Sequence, residues 1–195
     1  MNGRMALRGY TVVELMMSLS VLAIGVSGII AMQKVTVASN QHAKNLAIAT
    51  AIAEAWADAL AADSSSWNSD TDLGSTTWLS AVPDANPAWT RPAHSNTLSF
   101  GPGFSALGDP VTDMTLARFC TNVRLTWVRR TDQVPGSGLI RAEVRVFWKR
   151  DNAFTQNAIP ANVCAVSNTP STVEENADGY HFVFLTTAVS QQVGA

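Results

Sequence analysis

The sequence predicts an α+β chain in which one long helix precedes an antiparallel sheet. Three observations carry this: an uncharged apolar run from Leu15 to Gln33, an alanine-rich helical pattern extending it to Ala62, and two period-two segments joined by a glycine-rich turn. The helix comes first because no proline occurs before Pro83 and alanine, the best helix former, dominates residues 38–62. Leu46, Ala49, Ala53, Trp56 and Leu60 form an apolar stripe on one face, suited to packing on a sheet, with Lys44, Glu54 and Asp58 largely off it. The helix is expected from Tyr10 to Ala62, roughly 80 Å at 1.5 Å per residue, ending at Asp63-Ser64-Ser65-Ser66.

Residues 63–112 read as a connector holding five of the eight prolines. Its indoles, Trp67, Trp78 and Trp89, are expected to fold it onto the sheet. In residues 113–195 the period becomes two. Phe119, Thr121, Val123, Leu125 and Trp127 alternate with Cys120, Asn122, Arg124, Thr126 and Val128. Ile140, Ala142, Val144, Val146 and Trp148 alternate with Arg141, Glu143, Arg145, Phe147 and Lys149. Pro135-Gly136-Ser137-Gly138 makes these two an antiparallel hairpin. A third strand, about Tyr180 to Val189, follows a 29-residue loop, Asp151 to Gly179.

Composition excludes several classes. Of the 195 residues, 47% are hydrophobic and 14% charged, against roughly 25% charged in an average domain. A disordered chain is excluded, and so is a nucleic-acid binder with a dense basic surface, since the net charge is −2. Arg124, Arg129, Arg130, Arg141, Arg145, Lys149 and Arg150 are read as solvated strand positions. Two cysteines and three histidines offer no four-cysteine zinc site, and no HExxH, GxSxG, P-loop or CxxC occurs. Asn68, Asp70 and Asp72 alternate like calcium ligands, but Leu73 and Leu79 replace the glycine and glutamate of an EF-hand. No enzymatic activity and no cofactor are expected.

Nineteen uncharged residues after the basic leader MNGRMALRG fit a membrane span of about 20 apolar residues. Arg4 and Arg8 keep that end cytoplasmic, so that everything after Lys34 is exported. A cleaved signal peptide competes, with Thr36-Val37-Ala38 as a weak cleavage site. Glu14 argues against it: a carboxylate entering hydrocarbon costs about 2.5–3.5 kcal/mol on insertion scales and calls for a partner. A secretory signal gains nothing from such a group.

Gly9-Tyr10-Thr11-Val12-Val13-Glu14-Leu15 resembles the class III signal of type IV prepilins. The wider stretch, with Leu22-Ala23-Ile24-Gly25, Gly28 and Ala31-Met32-Gln33, is similar to the PilV group of minor pilins. Tyr10 stands where phenylalanine is usual. The close motif covers residues 8–33, and beyond it the resemblance is one of architecture. The resemblance implies that a prepilin peptidase removes residues 1–9 by cutting between Gly9 and Tyr10 and methylates the Tyr10 amine. It also implies that Glu14 pairs with such an amine on a neighbouring subunit. Residues 10–33 are then the transmembrane and assembly half of the helix and 34–62 its periplasmic half.

The function so implied is that of a non-catalytic minor pilin that primes type IV pilus assembly near the tip. Its partners would be other minor pilins, the major pilin, the peptidase and the inner-membrane assembly platform, with a large tip adhesin a further candidate; no nucleic acid is expected. The chain would sit in the inner membrane with its head in the periplasm, then in the extracellular pilus. The alternatives are a type II secretion minor pseudopilin and a signal-anchored periplasmic binding protein or enzyme. In the oxidising compartment beyond the membrane a Cys120–Cys164 disulfide is expected, closing a loop of about 45 residues. Paired cysteines in many pilins bracket the C-terminal region, whereas here a whole strand follows Cys164.

Overall fold

A computed structural model describes residues 10–68, 73–130, 136–150, 163–164 and 169–192. The leader with Gly9, the aspartates Asp70 and Asp72, turn residue Pro135 and most of the 151–179 loop lie outside the described residues. Helix α1 spans Val12–Asp63, against the expected 10–62. Strands β1 (Gly103–Phe104), β2 (Phe119–Arg129), β3 (Leu139–Lys149) and β4 (Tyr180–Ser190) follow, with a short helix α2 (Pro170–Glu175) before β4. The strands form one antiparallel sheet in sequential order β1-β2-β3-β4. This is the pilin-like α+β arrangement that the sequence predicts. The chain divides into two compact units, Met1–Asn45 and Leu46–Ala195, and the second contains the sheet.

In that second unit the predicted stripe meets the predicted strand face. Ala49, Ile52, Ala53, Trp56 and Leu60 of α1 are buried with Val123, Leu125, Ile140, Ala142, Val144, Val146 and Trp148 of β2 and β3. Leu46, the first stripe residue, stays 43% exposed. Gly136 takes a positive φ of 73° in the hairpin connection, a conformation that costs glycine little.

The connector folds onto the sheet through its aromatic rings, as the sequence predicts, two of its three tryptophans on this helix-side core and Trp89 on the opposite face. Trp78 packs edge-on against Trp56 with ring centres 5.2 Å apart, and Phe100 lies 4.8 Å from Trp56. Trp67 is buried and meets Trp127 of β2 at 5.6 Å. The connector is not purely loop: it contributes β1, and Thr90 exchanges both backbone hydrogen bonds with Val123 at 2.8 Å.

The device that fixes this return is Asp63. Read in sequence as one residue of a turn cluster, it is the last residue of α1 and is only 6% exposed. Its carboxylate accepts from three successive amides: Oδ1 from Thr77 N–H at 2.6 Å, Oδ2 from Trp78 N–H at 2.8 Å and from Leu79 N–H at 3.0 Å. An acid at a helix C-terminus opposes the helix dipole, and the three donors offset that cost.

The other sheet face departs from expectation. Cys120 falls on the strand face expected to meet solvent, yet it is buried, as are Asn122, Arg145 and Phe147. A second apolar cluster of Cys120, Phe147, Cys164, Val173 and Tyr180 occupies this face, Val173 arriving on α2. The 151–179 segment therefore carries structure of its own. Thr169 caps α2 by accepting from Thr172 N–H at 3.3 Å, and Pro170 stands in the first turn.

Replacing Asp63 by alanine leaves three amide donors without an acceptor, two of them buried. We expect Asp63→Ala to destabilise the head by about 2–4 kcal/mol, with Asp63→Asn losing less. Tryptophan-fluorescence unfolding of the full chain in mild detergent measures it.

Candidate functional site

Two regions carry the chemistry. The first is the start of α1. Thr11 Oγ1 accepts from Glu14 N–H at 3.3 Å, and Thr11 C=O accepts from Leu15 N–H at 3.2 Å, so Thr11 is the N-cap and Glu14 the third helical residue. Thr-x-x-Glu is a capping-box pattern that sequence reasoning passed over while reading the same residues as a processing signal. The cap uses the Glu14 amide. Among the described residues its carboxylate makes no hydrogen bond or ion pair, and it lies in the first turn, where the helix dipole favours an anion.

From Leu15 to Gln33 the helix carries no charge and is apolar all round. Val12, Leu15, Met16, Leu19, Leu22, Ile24 and Ile29 are all exposed, and none of the most apolar eighteen-residue window is buried. The polar groups within it are satisfied locally: Ser18, Ser20 and Ser27 donate to the carbonyls of Glu14, Met16 and Ile24, each at 2.8 Å. Such a surface is unstable in water and suits lipid or other apolar helices, and its length and composition are those of a membrane span. Tyr10, the predicted mature N-terminus, is 86% exposed.

The second region is the outer sheet face in the head. Register places Arg124 of β2 directly opposite Glu143 of β3, and Arg124 Nε donates to Glu143 Oε2 at 2.6 Å. Arg145, two residues along β3, is buried. Its Nη1 donates to Glu174 of α2 at 3.0 Å, and its Nη2 faces the Asn122 side-chain oxygen at 2.8 Å. Both guanidinium groups lie over the Trp89 ring, Arg124 at 4.7 Å and Arg145 at 4.6 Å. Trp89 thus sits on this face and not on the helix-side core.

The basic residues of the hairpin therefore do not form one solvated patch. Arg145 works inside the head, tying α2 to the sheet. Trp89, Arg124, Glu143, Arg145, Glu174 and Phe184 line a cleft of about 440 Å³ whose charges are internally paired. The hydrogen bond with Glu143 holds the Arg124 pKa above its usual value, whereas desolvation pushes that of Arg145 down. Glu143 is held below the ordinary 4.5, chiefly by the hydrogen bond from Arg124.

The predicted disulfide is present: Cys120 joins Cys164 with Cα atoms 5.3 Å apart and 44 residues of separation. It fastens the long loop to β2, and Arg91 Nη1 holds the same point by donating to Cys164 C=O at 3.1 Å. Among the described residues no group of three or more His, Cys, Asp or Glu side chains converges on a point.

Two tests follow from this geometry. Replacing either cysteine should lower head stability by about 2–5 kcal/mol, read by denaturant unfolding with non-reducing peptide mapping of the wild type as control. A lowered carboxylate pKa means that folding favours ionised Glu143. That contribution is therefore complete above 4.5 and is lost as pH falls through the lower folded-state value. Unfolding midpoints measured from about pH 6 down to about pH 3 should fall less steeply in Glu143→Gln than in wild type.

No protein-family model, no curated protein and no solved structure matches this chain.

Proposed function

We propose that this chain is a minor pilin of a type IV pilus, held in the inner membrane by the first half of α1 until it is extracted into the filament. The observation that carries the reading is the start of α1. A carboxylate at Glu14 with no partner among the described residues stands four residues from Tyr10, on a helix with no charge from Leu15 to Gln33 and no buried face there. An unpaired carboxylate at the edge of hydrocarbon is costly, and an ammonium group from a neighbouring subunit removes that cost. Cleavage after Gly9 supplies such an ammonium on every mature copy. Glu14 then acts as a register device: helices slide past one another in lipid until carboxylate and amine meet.

The rest of the mechanism is lateral. Extraction from the bilayer exchanges lipid contacts for contacts with other apolar helices, and the serines need no outside partner in either setting because their hydroxyls are bonded within their own helix. The head contributes no catalytic step in this reading. It is a stapled platform presented at or near the pilus tip.

Intact-mass analysis and N-terminal sequencing of the membrane-purified protein should give a mature chain starting at methylated Tyr10. A start at Ser39 instead would make it an ordinary secreted protein. Glu14→Ala should reduce pilus number severalfold at unchanged cellular protein level and disulfide content. Glu14→Lys should be worse, since two cations then face each other in low dielectric. Normal piliation of a Glu14→Lys strain would end the assembly reading.

A further inference from the structure

The cleft on the outer sheet face has no part in the filament mechanism, and its lining is chemically specific. Its floor is made by cross-strand neighbours: Glu143 stands between Arg124 and Thr186, and Arg145 stands opposite Phe184. One wall is aromatic. Phe184, 62% exposed, lies 6.0 Å from Trp89 and 5.9 Å from Phe182. The volume of about 440 Å³ falls within the roughly 300–1,000 Å³ of small-molecule sites.

The polar atoms of the cleft divide into those already bonded and those still free to bond. Arg124 Nε donates to Glu143 Oε2, and Arg145 Nη1 donates to Glu174 Oε1. Among the described residues, Glu143 Oε1, Glu174 Oε2 and Thr186 Oγ1 accept no hydrogen bond, and the two Nη groups of Arg124 donate none. The Glu143 side chain is only 18% exposed, so water reaches its second oxygen poorly. Free acceptors, free donors and flat apolar rings therefore face one small space.

We propose that this cleft binds a neutral saccharide, whose ring C–H face packs on Trp89 and Phe184 while its hydroxyls bridge the free polar atoms. A hydroxyl both donates and accepts, so a ring bearing several of them serves Glu143, Thr186, Glu174 and Arg124 together. The reading stands apart from the filament role and uses no residue of the helix α1.

The same atoms weigh against other ligand classes. The two guanidinium groups and two carboxylates are paired and sum to zero, so an anion gains no unspent positive charge. A cation meets Arg124 and Arg145 already over the Trp89 ring at 4.7 and 4.6 Å. A purely apolar ligand would strip water from Glu143 and return no hydrogen bond. A proline-rich peptide stacks well on aromatic rings, yet proline has no N–H to offer the three free acceptors.

The test uses the full chain in polyoxyethylene detergent micelles, which carry no sugar headgroup, with cellobiose, lactose and maltose as probes. The Trp89 indole N–H resonance, assigned by its loss in Trp89→Phe, should shift saturably with at least one of them at millimolar concentration. The fully O-methylated form of that sugar, which lacks every hydroxyl donor, should leave it in place. Phe184→Ala and Thr186→Val, both at exposed positions, should keep the wild-type melting transition and each weaken binding about fivefold. Leu107→Ala, exposed elsewhere in the head, should bind as wild type does.

No saturable shift with any of the three sugars, or equal binding of the methylated one, overturns the proposal. Undiminished binding in both cleft variants overturns the site. A shift produced by a neutral proline-rich peptide and by no sugar overturns the ligand class, and a shift that grows with protein concentration alone gives the cleft to a second copy. Normal piliation of a Glu14→Lys strain would end the filament reading and leave the sugar titration unaffected.

Discussion

The head depends on one carboxylate. Asp63 closes α1 and in the same stroke holds the amides of Thr77, Trp78 and Leu79, so that the connector turns back over the core at a fixed place. That placement brings Trp78 against Trp56, and through Phe100 the aromatic packing reaches Phe104 of β1. The covered edge of the sheet is thus linked to a hydrogen-bond cluster at the end of a helix. Charge-assisted bonds to buried amides are directional in a way that apolar contacts are not, and they select one return path for a proline-rich segment.

The two faces of the sheet are built on different physics. The helix-side face is conventional apolar burial, with small Ala49 and Ala53 of α1 beside large Trp56 and Leu60. The outer face is held by a covalent bond, a buried arginine and a cross-strand ion pair around one indole. Arg145 is the linchpin there: its guanidinium reaches α2, Asn122 and Trp89 together, and these contacts offset part of its desolvation. The disulfide limits the freedom of a long segment, and the arginine orients α2, which at six residues is too short to be stable alone.

The N-terminal unit follows a third logic. From Leu15 to Gln33 its serine hydroxyls are bonded within the helix while its apolar surface is exposed, a combination suited to lipid and to other helices but not to water. Glu14 stands at the start of this segment, a charged group whose carboxylate has no partner among the described residues. The apolar helix segment and the sheet-bearing head therefore occupy successive parts of the chain.

Much of this was legible in the residues alone. Periodicity determined the helix, its sheet-facing stripe and the β2–β3 hairpin, because burial of one face imposes a period of 3.6 or 2 whatever the partner. Two cysteines beyond a membrane span admitted one disulfide. The motif around Glu14 was visible because the chemistry there is local. What tertiary structure decided involves partners distant in sequence. Asp63 looked like a turn residue, since nothing nearby reveals that its acceptors serve amides fourteen to sixteen positions away. Cys120, Asn122 and Arg145 fell on the polar side of an alternating pattern and were read as facing solvent. Alternation reports which side of a strand a residue is on, and only the arrival of α2, Cys164 and Trp89 decides that this side is covered. The place of β4 at the end of the strand order was equally invisible, because sequence order does not say which strand ends the sheet until register and pairing are known.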